Sequence, residues 1–240
     1  MTDTTLNLWR QHLGTVPAEV WDRTDLTVLI LAETGIAELP PAVRRLSRLR
    51  TFDVGHNRLT AVPEEIGDLV GLTDFLYLHD NALTGLPAAL GRLTALRYLN
   101  VGENRIVRLP DEIGSLTGLV ELRAQHNRLT SLPDSLGALR SLRELWLRGN
   151  ALTALPQSFA GLRELRELDL RENALAAVPA ALAGLPLLRR LDLRANLITE
   201  LPNWLAELPA LEKLDLRWND LKPAPRLLAA LASRGCVVLR

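Results

Sequence analysis

Four arginines and three aspartates recur in the C-terminal half of the chain at a spacing of 23 residues. They are Arg148, Arg171, Arg194 and Arg217, with Asp169, Asp192 and Asp215 two positions before the last three arginines. Aligned guanidinium groups can bind carboxylates or phosphates through paired hydrogen bonds. Aligned carboxylates suit Ca²⁺, but the adjacent arginines already supply their countercharge, so we expect no metal site and no cofactor. The alternative is a solvated surface on which these charges compensate one another.

Aromatic and basic side chains recur in the middle of the chain with the same spacing. They are Tyr77, His79, Tyr98, Arg123, Trp146 and Arg148. Aromatic residues make up only 4% of the chain, so their grouping here is informative. Aromatic side chains flanked by arginine are typical of the residues that dominate binding at protein interfaces. We therefore predict that this group binds a protein or peptide, against the alternative of scattered surface aromatics without a partner.

The residues needed for catalysis do not form a recognisable set. His12, His56, His79 and His126 are the only histidines, and no serine or cysteine pairs with them in a way that suggests a catalytic triad. The sequence also has no GxxxxGK[ST] phosphate-binding loop, no HExxH zinc motif and no CxxC pair. We therefore expect that the protein is not an enzyme.

These spacings follow from a repeat that runs through nearly the whole chain. Residues 162–184 match residues 139–161 position for position, and an asparagine anchors each copy. The anchors are Asn57, Asn81, Asn104, Asn127, Asn150, Asn173, Asn196 and Asn219. Every interval is 23 residues except the first, which is 24, and its extra residue falls within 72–76, where we predict a bulge. Counting back, Thr34 and Gln11 occupy the anchor position, so ten coils fit the chain.

Each copy predicts one short strand and one turn on the opposite side. The pattern LxxLxLxxNxL alternates leucine with other residues, as in a strand with one buried face. A repeat proline then predicts the first position of a short helical or 3-10 turn. Stacked coils place the strands in one parallel sheet, and the residues six, four and two positions before each anchor point away from the core. The anchoring asparagines are predicted to satisfy buried backbone groups rather than to bind a ligand.

The consensus LxxLxLxxNxLTxLPxxLGxLxxL resembles the 23-residue intracellular leucine-rich repeats of Ras-suppressor-type proteins, plant Ras-group-related repeat proteins and many bacterial repeat proteins. The resemblance covers nearly the whole chain. It implies an α/β fold, a right-handed solenoid with a concave parallel sheet, and a non-catalytic scaffold that binds a partner on that sheet. It also implies a small GTPase or another signalling protein as the partner. An anion- or nucleic-acid-binding module that uses the arginines is the less favoured alternative.

We expect residues 1–240 to form a single solenoid domain. Its parts are a degenerate N-terminal coil in 1–25, regular repeats in 26–222 and a helix–strand cap in 223–240. Trp9 and Trp21 are expected to cover the N-terminal end together with Leu6, Leu8 and Val20. At the other end, the sequence predicts a helix over 225–234 that stops at Gly235, followed by a strand over 237–239.

Composition favours some classes of partner and one cellular location over others. The 28 basic residues balance the 28 acidic residues, which disfavours nucleic acid and anionic membranes as partners. Lys213 and Lys222 are the only lysines, an arginine bias that favours a GC-rich bacterial source. The single Cys236 excludes an intramolecular disulfide, and the sequence shows neither a signal-peptide pattern nor a long apolar run. We therefore expect a cytoplasmic monomer.

Overall fold

The computed structural model describes residues 4–240. Within these residues, eleven strands form one parallel sheet in which neighbours in the chain are neighbours in the sheet. The strands are β1 (Thr5–Asn7), β2 (Val28–Ile30), β3 (Thr51–Asp53), β4 (Phe75–Tyr77), β5 (Tyr98–Asn100), β6 (Glu121–Arg123), β7 (Glu144–Trp146), β8 (Glu167–Asp169), β9 (Arg190–Asp192), β10 (Lys213–Asp215) and β11 (Val237–Leu239). The predicted solenoid with its concave parallel sheet is therefore confirmed.

Each strand is short because one repeat supplies only a few residues of alternating character. In β7, Leu145 is buried between Glu144 and Trp146, which face outward, and Leu147 is again buried. Alternate side chains of a strand point to opposite faces of its sheet. The strands pair in register, so that equivalent positions of successive repeats lie side by side, as Trp146 does with Asp169. The rows of residues predicted from the spacing therefore cross the concave face.

The side opposite the sheet carries nine 3-10 turns within the described residues. They span Ala18–Asp22, Pro41–Arg45, Glu64–Asp68, Ala88–Arg92, Asp111–Ser115, Asp134–Ala138, Gln157–Gly161, Ala180–Leu182 and Asn203–Glu207. Each begins one residue after a repeat proline, not at the proline as predicted. Pro133, for example, has extended backbone, and its carbonyl accepts the N–H of Leu136 at 3.1 Å. The fixed φ of proline suits this extended position before the turn.

The core is continuous from the first coil to the C-terminal helix. It contains the leucines of the strands and the apolar residue three positions after each repeat proline, as the sequence predicts. Those residues, all buried, are Val20, Val43, Ile66, Leu90, Ile113, Leu136, Phe159, Leu182 and Leu205. They close the core from the side of the 3-10 turns.

The extra residue of the one 24-residue interval lies just before β4. There the N–H groups of Arg97 and Tyr98 bond to two carbonyls, those of Thr73 and Asp74, each at 3.1 Å. In the other coils the two equivalent N–H groups share a single carbonyl. The predicted bulge is therefore confined to the turn, and Phe75 keeps its place in the sheet register.

The N-terminal end differs from its prediction at one residue. Val20 and Trp21 are buried, and Leu6 and Leu8 pack against the core as expected. Trp9, which we expected to help cover the end, is 50% exposed. It stands two positions before the anchor, and the strand geometry directs that position to the concave face instead.

The C-terminal end agrees with its prediction. Helix α1 (Pro225–Ser233) begins at proline, and Gly235 has the positive φ of 79° that ends it. Leu227 and Leu231 of this helix are buried against the last coil, and β11 extends the sheet by one strand. No helix in the described part of the chain is long and apolar enough to cross a membrane.

Candidate functional site

The asparagine row lies beneath the concave face and is occupied by structural hydrogen bonds. The Nδ2 group of Asn127 donates to the carbonyls of Val101 at 2.9 Å and Ala124 at 3.2 Å. Its Oδ1 atom accepts the N–H of Ile106 at 2.9 Å. Because these bonds join the amide to its own coil and to the preceding one, its donors and its acceptor are not directed at a ligand.

Three aromatic rings lie in mutual contact on β4 and β5, and we call them the aromatic patch (Phe75, Tyr77 and Tyr98). The ring centroids are 5.1 Å apart for Tyr77 and Tyr98, 5.5 Å for Phe75 and Tyr98, and 5.8 Å for Phe75 and Tyr77. Phe75 is 42% exposed, and burial raises the pKa of Tyr98 to about 12. Such a cluster presents apolar surface to solvent while its phenol groups stay neutral.

Arg123 connects the aromatic patch to Trp146. Its guanidinium carbon lies 5.9 Å from the ring centroid of Tyr98 and 5.3 Å from that of Trp146. Its Nε donates to Glu121 at 2.5 Å, which holds the side chain across the face. The two tyrosines, Arg123 and Trp146 therefore form one continuous surface over β4 to β7.

Histidines border this surface on its N-terminal side. The Nε2 atoms of His79 and His56 are 3.1 Å apart, and Nδ1 of His56 lies 2.6 Å from a carboxylate oxygen of Asp80. Burial lowers the pKa of His79, and the neighbouring His56 lowers it further. His126 is separate from this pair, with Nε2 3.7 Å from Glu103. These contacts join histidines to each other and to carboxylates, an arrangement without a nucleophile.

Two of the four C-terminal arginines are held by aspartates. Arg217 Nη2 lies 2.7 Å from Asp215 Oδ2, and Arg194 Nε lies 3.4 Å from the same oxygen. Arg194 also donates to Asp192 at 2.9 Å. Burial by itself would raise the pKa of Asp215, but the side-chain and backbone hydrogen bonds from Arg217, together with the charges of Arg194 and Arg217, outweigh burial and lower the pKa. These guanidiniums are therefore neutralised within the protein.

The other two arginines have different surroundings. Arg171 Nε lies 3.3 Å from Glu172, and within residues 4–240 Arg171 forms no ion pair with Asp169, the aspartate of its own repeat. Arg148 forms no ion pair with any residue in 4–240. Of the four, Arg148 is therefore the guanidinium most available to a partner.

Three family models of leucine-rich repeats match the chain. They are described as a leucine-rich repeat region at residues 65–151, a leucine rich repeat at 177–221 and a further leucine rich repeat at 141–162. The matched segments coincide with coils of the parallel sheet. The chain is a leucine-rich-repeat protein. A comparison with curated protein sequences finds no match.

Solved leucine-rich-repeat structures share this architecture. One is the ectodomain of the plant membrane receptor kinase GASSHO1/SCHENGEN3 from Arabidopsis thaliana, solved in complex with CASPARIAN STRIP INTEGRITY FACTOR 2. The chain is 29% identical to it, with a TM-score of 0.81, and the match covers 93% of this chain and 28% of that one. It is 27% identical to the plant peptide hormone receptor RGFR1 in complex with RGF2, with a TM-score of 0.74 over 94% and 41%. The functional domain of InlJ from Listeria monocytogenes, 23% identical with a TM-score of 0.82 over 98% and 48%, shows the same fold. The chain spans less than half the length of each.

The repeat places every predicted binding residue on the concave face, but it does not bring them all together. Tyr77, His79, Tyr98, Arg123 and Trp146 form a connected group. Arg194 and Arg217 form a second group with Asp192 and Asp215, whereas Arg171 pairs with Glu172. Phe75 was not among the predicted binding residues, although counting back six positions from Asn81 places it in the outward row.

Proposed function

We propose that this leucine-rich-repeat protein is a non-catalytic scaffold that binds a protein or peptide on its concave face. The observation that carries the proposal is the aromatic patch, whose three rings lie in contact on the solvent-facing side of the sheet. Aromatic groups beside arginine are the residues that contribute most to binding at interfaces. The similar plant structures support the proposal because one is a peptide hormone receptor and both were solved in complex with another molecule.

The proposed contact residues form a central and a C-terminal set. The central set is Phe75, Tyr77, His79, Tyr98, Arg123, Trp146 and Arg148, and the C-terminal set is Arg171, Arg194 and Arg217. The central set is expected to supply most of the binding free energy, because two arginines of the C-terminal set are already paired with aspartates.

The narrower proposals rest on the sequence. A small GTPase or another signalling protein as the partner follows from the resemblance to intracellular repeats. A cytoplasmic location, a bacterial source, a monomeric state and the extent of the domain stay predictions from composition and spacing. Binding of an anion or nucleic acid by the arginines is less favoured, and a steep loss of affinity with added salt would support it.

The proposal is tested by selecting peptides from a random display library on the immobilised chain and measuring their affinities for variants. We expect Tyr77→Ala or Trp146→Ala to weaken binding of the selected peptides by about 2 kcal/mol, roughly 30-fold in affinity, because each variant removes an aromatic contact. Val70→Ala is the control, since Val70 is exposed two residues after the 3-10 turn 64–68 on the opposite side. Circular dichroism checks that each variant is folded. Equal affinity for all three variants would exclude the aromatic surface as the binding site.

A further inference from the structure

Three carboxylates and one indole lie together on β7 and β8, and we call them the carboxylate–indole cluster (Glu144, Trp146, Glu167 and Asp169). The strand register sets Glu144 beside Glu167 and Trp146 beside Asp169. All four positions face the concave side. The cluster therefore concentrates negative charge around one aromatic ring.

Two of these carboxylates lack a cation. Glu167 pairs with Arg190 at 3.0 Å, but neither Glu144 nor Asp169 forms an ion pair with any residue of the described chain. Asp169 accepts a hydrogen bond from the backbone N–H of Arg171 at 3.0 Å, while the side-chain Nε of Arg171 lies 3.3 Å from Glu172. The next two repeats differ, because there the arginine closes on the aspartate two positions before it.

The electrostatics agree with this geometry. Burial raises the pKa of Glu144, and the neighbouring Glu121 and Glu167 raise it further, while the Trp146 indole and the charge of Arg123 act in the opposite direction. Burial also raises the pKa of Asp169, and Asp192 adds to the effect, although Arg171 and Arg148 act in the opposite direction from a distance. Both carboxylates are thus only partly compensated by the charges around them.

The cluster borders an open space on the C-terminal side of Trp146. A hollow of about 150 Å³ lies between Trp146, Asp169 and residues of β9 and β10. Arg123 contacts the indole from β6, the opposite side. Lys213 lines the far end of the hollow on β10, and Arg190, also in its wall, is held by Glu167.

We propose that the carboxylate–indole cluster binds an arginine or lysine side chain of the peptide ligand. A cation there would pair with Glu144 and Asp169 and would lie against the indole ring of Trp146. The inference rests on the proposed function and specifies the partner: an extended peptide with an apolar residue on the aromatic patch and a basic residue in the cluster. The patch and the cluster are three strands apart, about 14 Å at 4.8 Å per strand. An extended peptide covers that distance in about four residues.

The test uses the peptides selected on the full chain for the proposed function. We expect them to carry arginine or lysine about four residues from an aromatic or aliphatic residue, the distance set by the strand spacing. Replacing that basic residue by glutamine should lower affinity about tenfold or more, and so should the double variant Glu144→Gln/Asp169→Asn. The two changes should not add, because each removes the same pair.

A matched control is available on the opposite side of the solenoid. Asp111→Asn/Glu112→Gln also removes one aspartate and one glutamate charge, here from exposed positions of the 3-10 turn 111–115. Neither residue forms an ion pair within the described chain. This double variant should bind the selected peptides as the parent does. Thermal melts of both double variants check that the fold is kept.

The outcomes separate the two proposals. The cation site would be overturned by either of two results: peptides that need Tyr77 but tolerate glutamine at the basic position, or peptides that bind the Glu144→Gln/Asp169→Asn variant as tightly as the parent. Both results would leave the proposed function standing. Failure to select any peptide whose affinity depends on Tyr77 would contradict the proposed function and the cation site together.

Discussion

At the scale of single residues, the repeat depends on an amide that satisfies buried backbone groups. Asn127 is 9% exposed and bonds to the coil before it, to its own coil and to the turn of the preceding repeat. A buried N–H or carbonyl that loses its partner costs free energy because water cannot replace the bond. Thr34 occupies the equivalent position in the second coil, and its hydroxyl donates to the Leu31 carbonyl at 2.7 Å. One hydroxyl hydrogen is fewer than the two of an amide, so the eight asparagines are the stronger anchors.

We therefore expect Asn127→Ala to lower the free energy of unfolding by about 1–3 kcal/mol. The variant leaves the Ile106 N–H without its acceptor, and the carbonyls of Val101 and Ala124 each lose one of two amide bonds. Urea unfolding followed by circular dichroism measures the change. Asn203→Ala is the control, since Asn203 is exposed at the start of a 3-10 turn and caps nothing with its side chain. Equal unfolding midpoints for the two variants would contradict the structural role of the anchor.

At the scale of elements, successive 3-10 turns approach so closely that a side chain does not fit at several glycine positions, among them Gly67, Gly114 and Gly137. A Cβ atom added to Gly137 would lie 2.2 Å from the carbonyl oxygen of Ser158 in the next turn. That distance is far below van der Waals contact, and the obstructing atom is backbone. The close approach of these two turns therefore depends on glycine at position 137.

Gly137→Ala is expected to destabilise the protein by about 1–3 kcal/mol, because the neighbouring turns must move apart. Gly85→Ala is the matched control, since a Cβ atom there meets nothing within 4 Å and the backbone needs no positive φ. Differential scanning calorimetry of both variants checks the expectation. A melting temperature for Gly137→Ala at or above that of Gly85→Ala would show that the turns can separate without cost.

At the scale of the whole molecule, the protein is a one-dimensional stack. Each strand pairs with the strands before and after it in the chain, and α1 packs on the last 3-10 turn and on β11. The free energy of unfolding of such a stack is close to a sum of interactions between neighbouring repeats. The two end repeats therefore limit the stability of the stack. Leu231 of α1 is 1% exposed and closes the C-terminal end of the core.

Leu231→Ala is expected to cost about 2–5 kcal/mol locally and to open the C-terminal coils first. Hydrogen exchange measured by mass spectrometry should therefore accelerate over β9 to β11 and change little over β4 to β6. Peptide binding on the aromatic patch should persist. Uniform acceleration over all strands would instead mean that the solenoid unfolds as a single unit.

The sequence by itself determined the fold and the outward positions. Its 23-residue period repeats the same local alternation of buried leucine and outward residue. When coils with this alternation stack, their strands form one parallel sheet with the leucines on its inner face. Each outward row could therefore be written down residue by residue, including Asp169 beside Trp146. The same counting placed the bulge near β4, because a single extra residue must be absorbed between two fixed anchors.

The tertiary structure decided which of the outward residues are free to bind. Within the described residues, Arg171 forms an ion pair with Glu172 and none with Asp169, whereas Arg194 and Arg217 pair with their aspartates. Repeat spacing assigns these arginines identical positions, so only the side-chain packing separates paired guanidiniums from Arg148. Contact between Phe75 and the two tyrosines is likewise a tertiary property, since it depends on rings of adjacent coils turning toward one another.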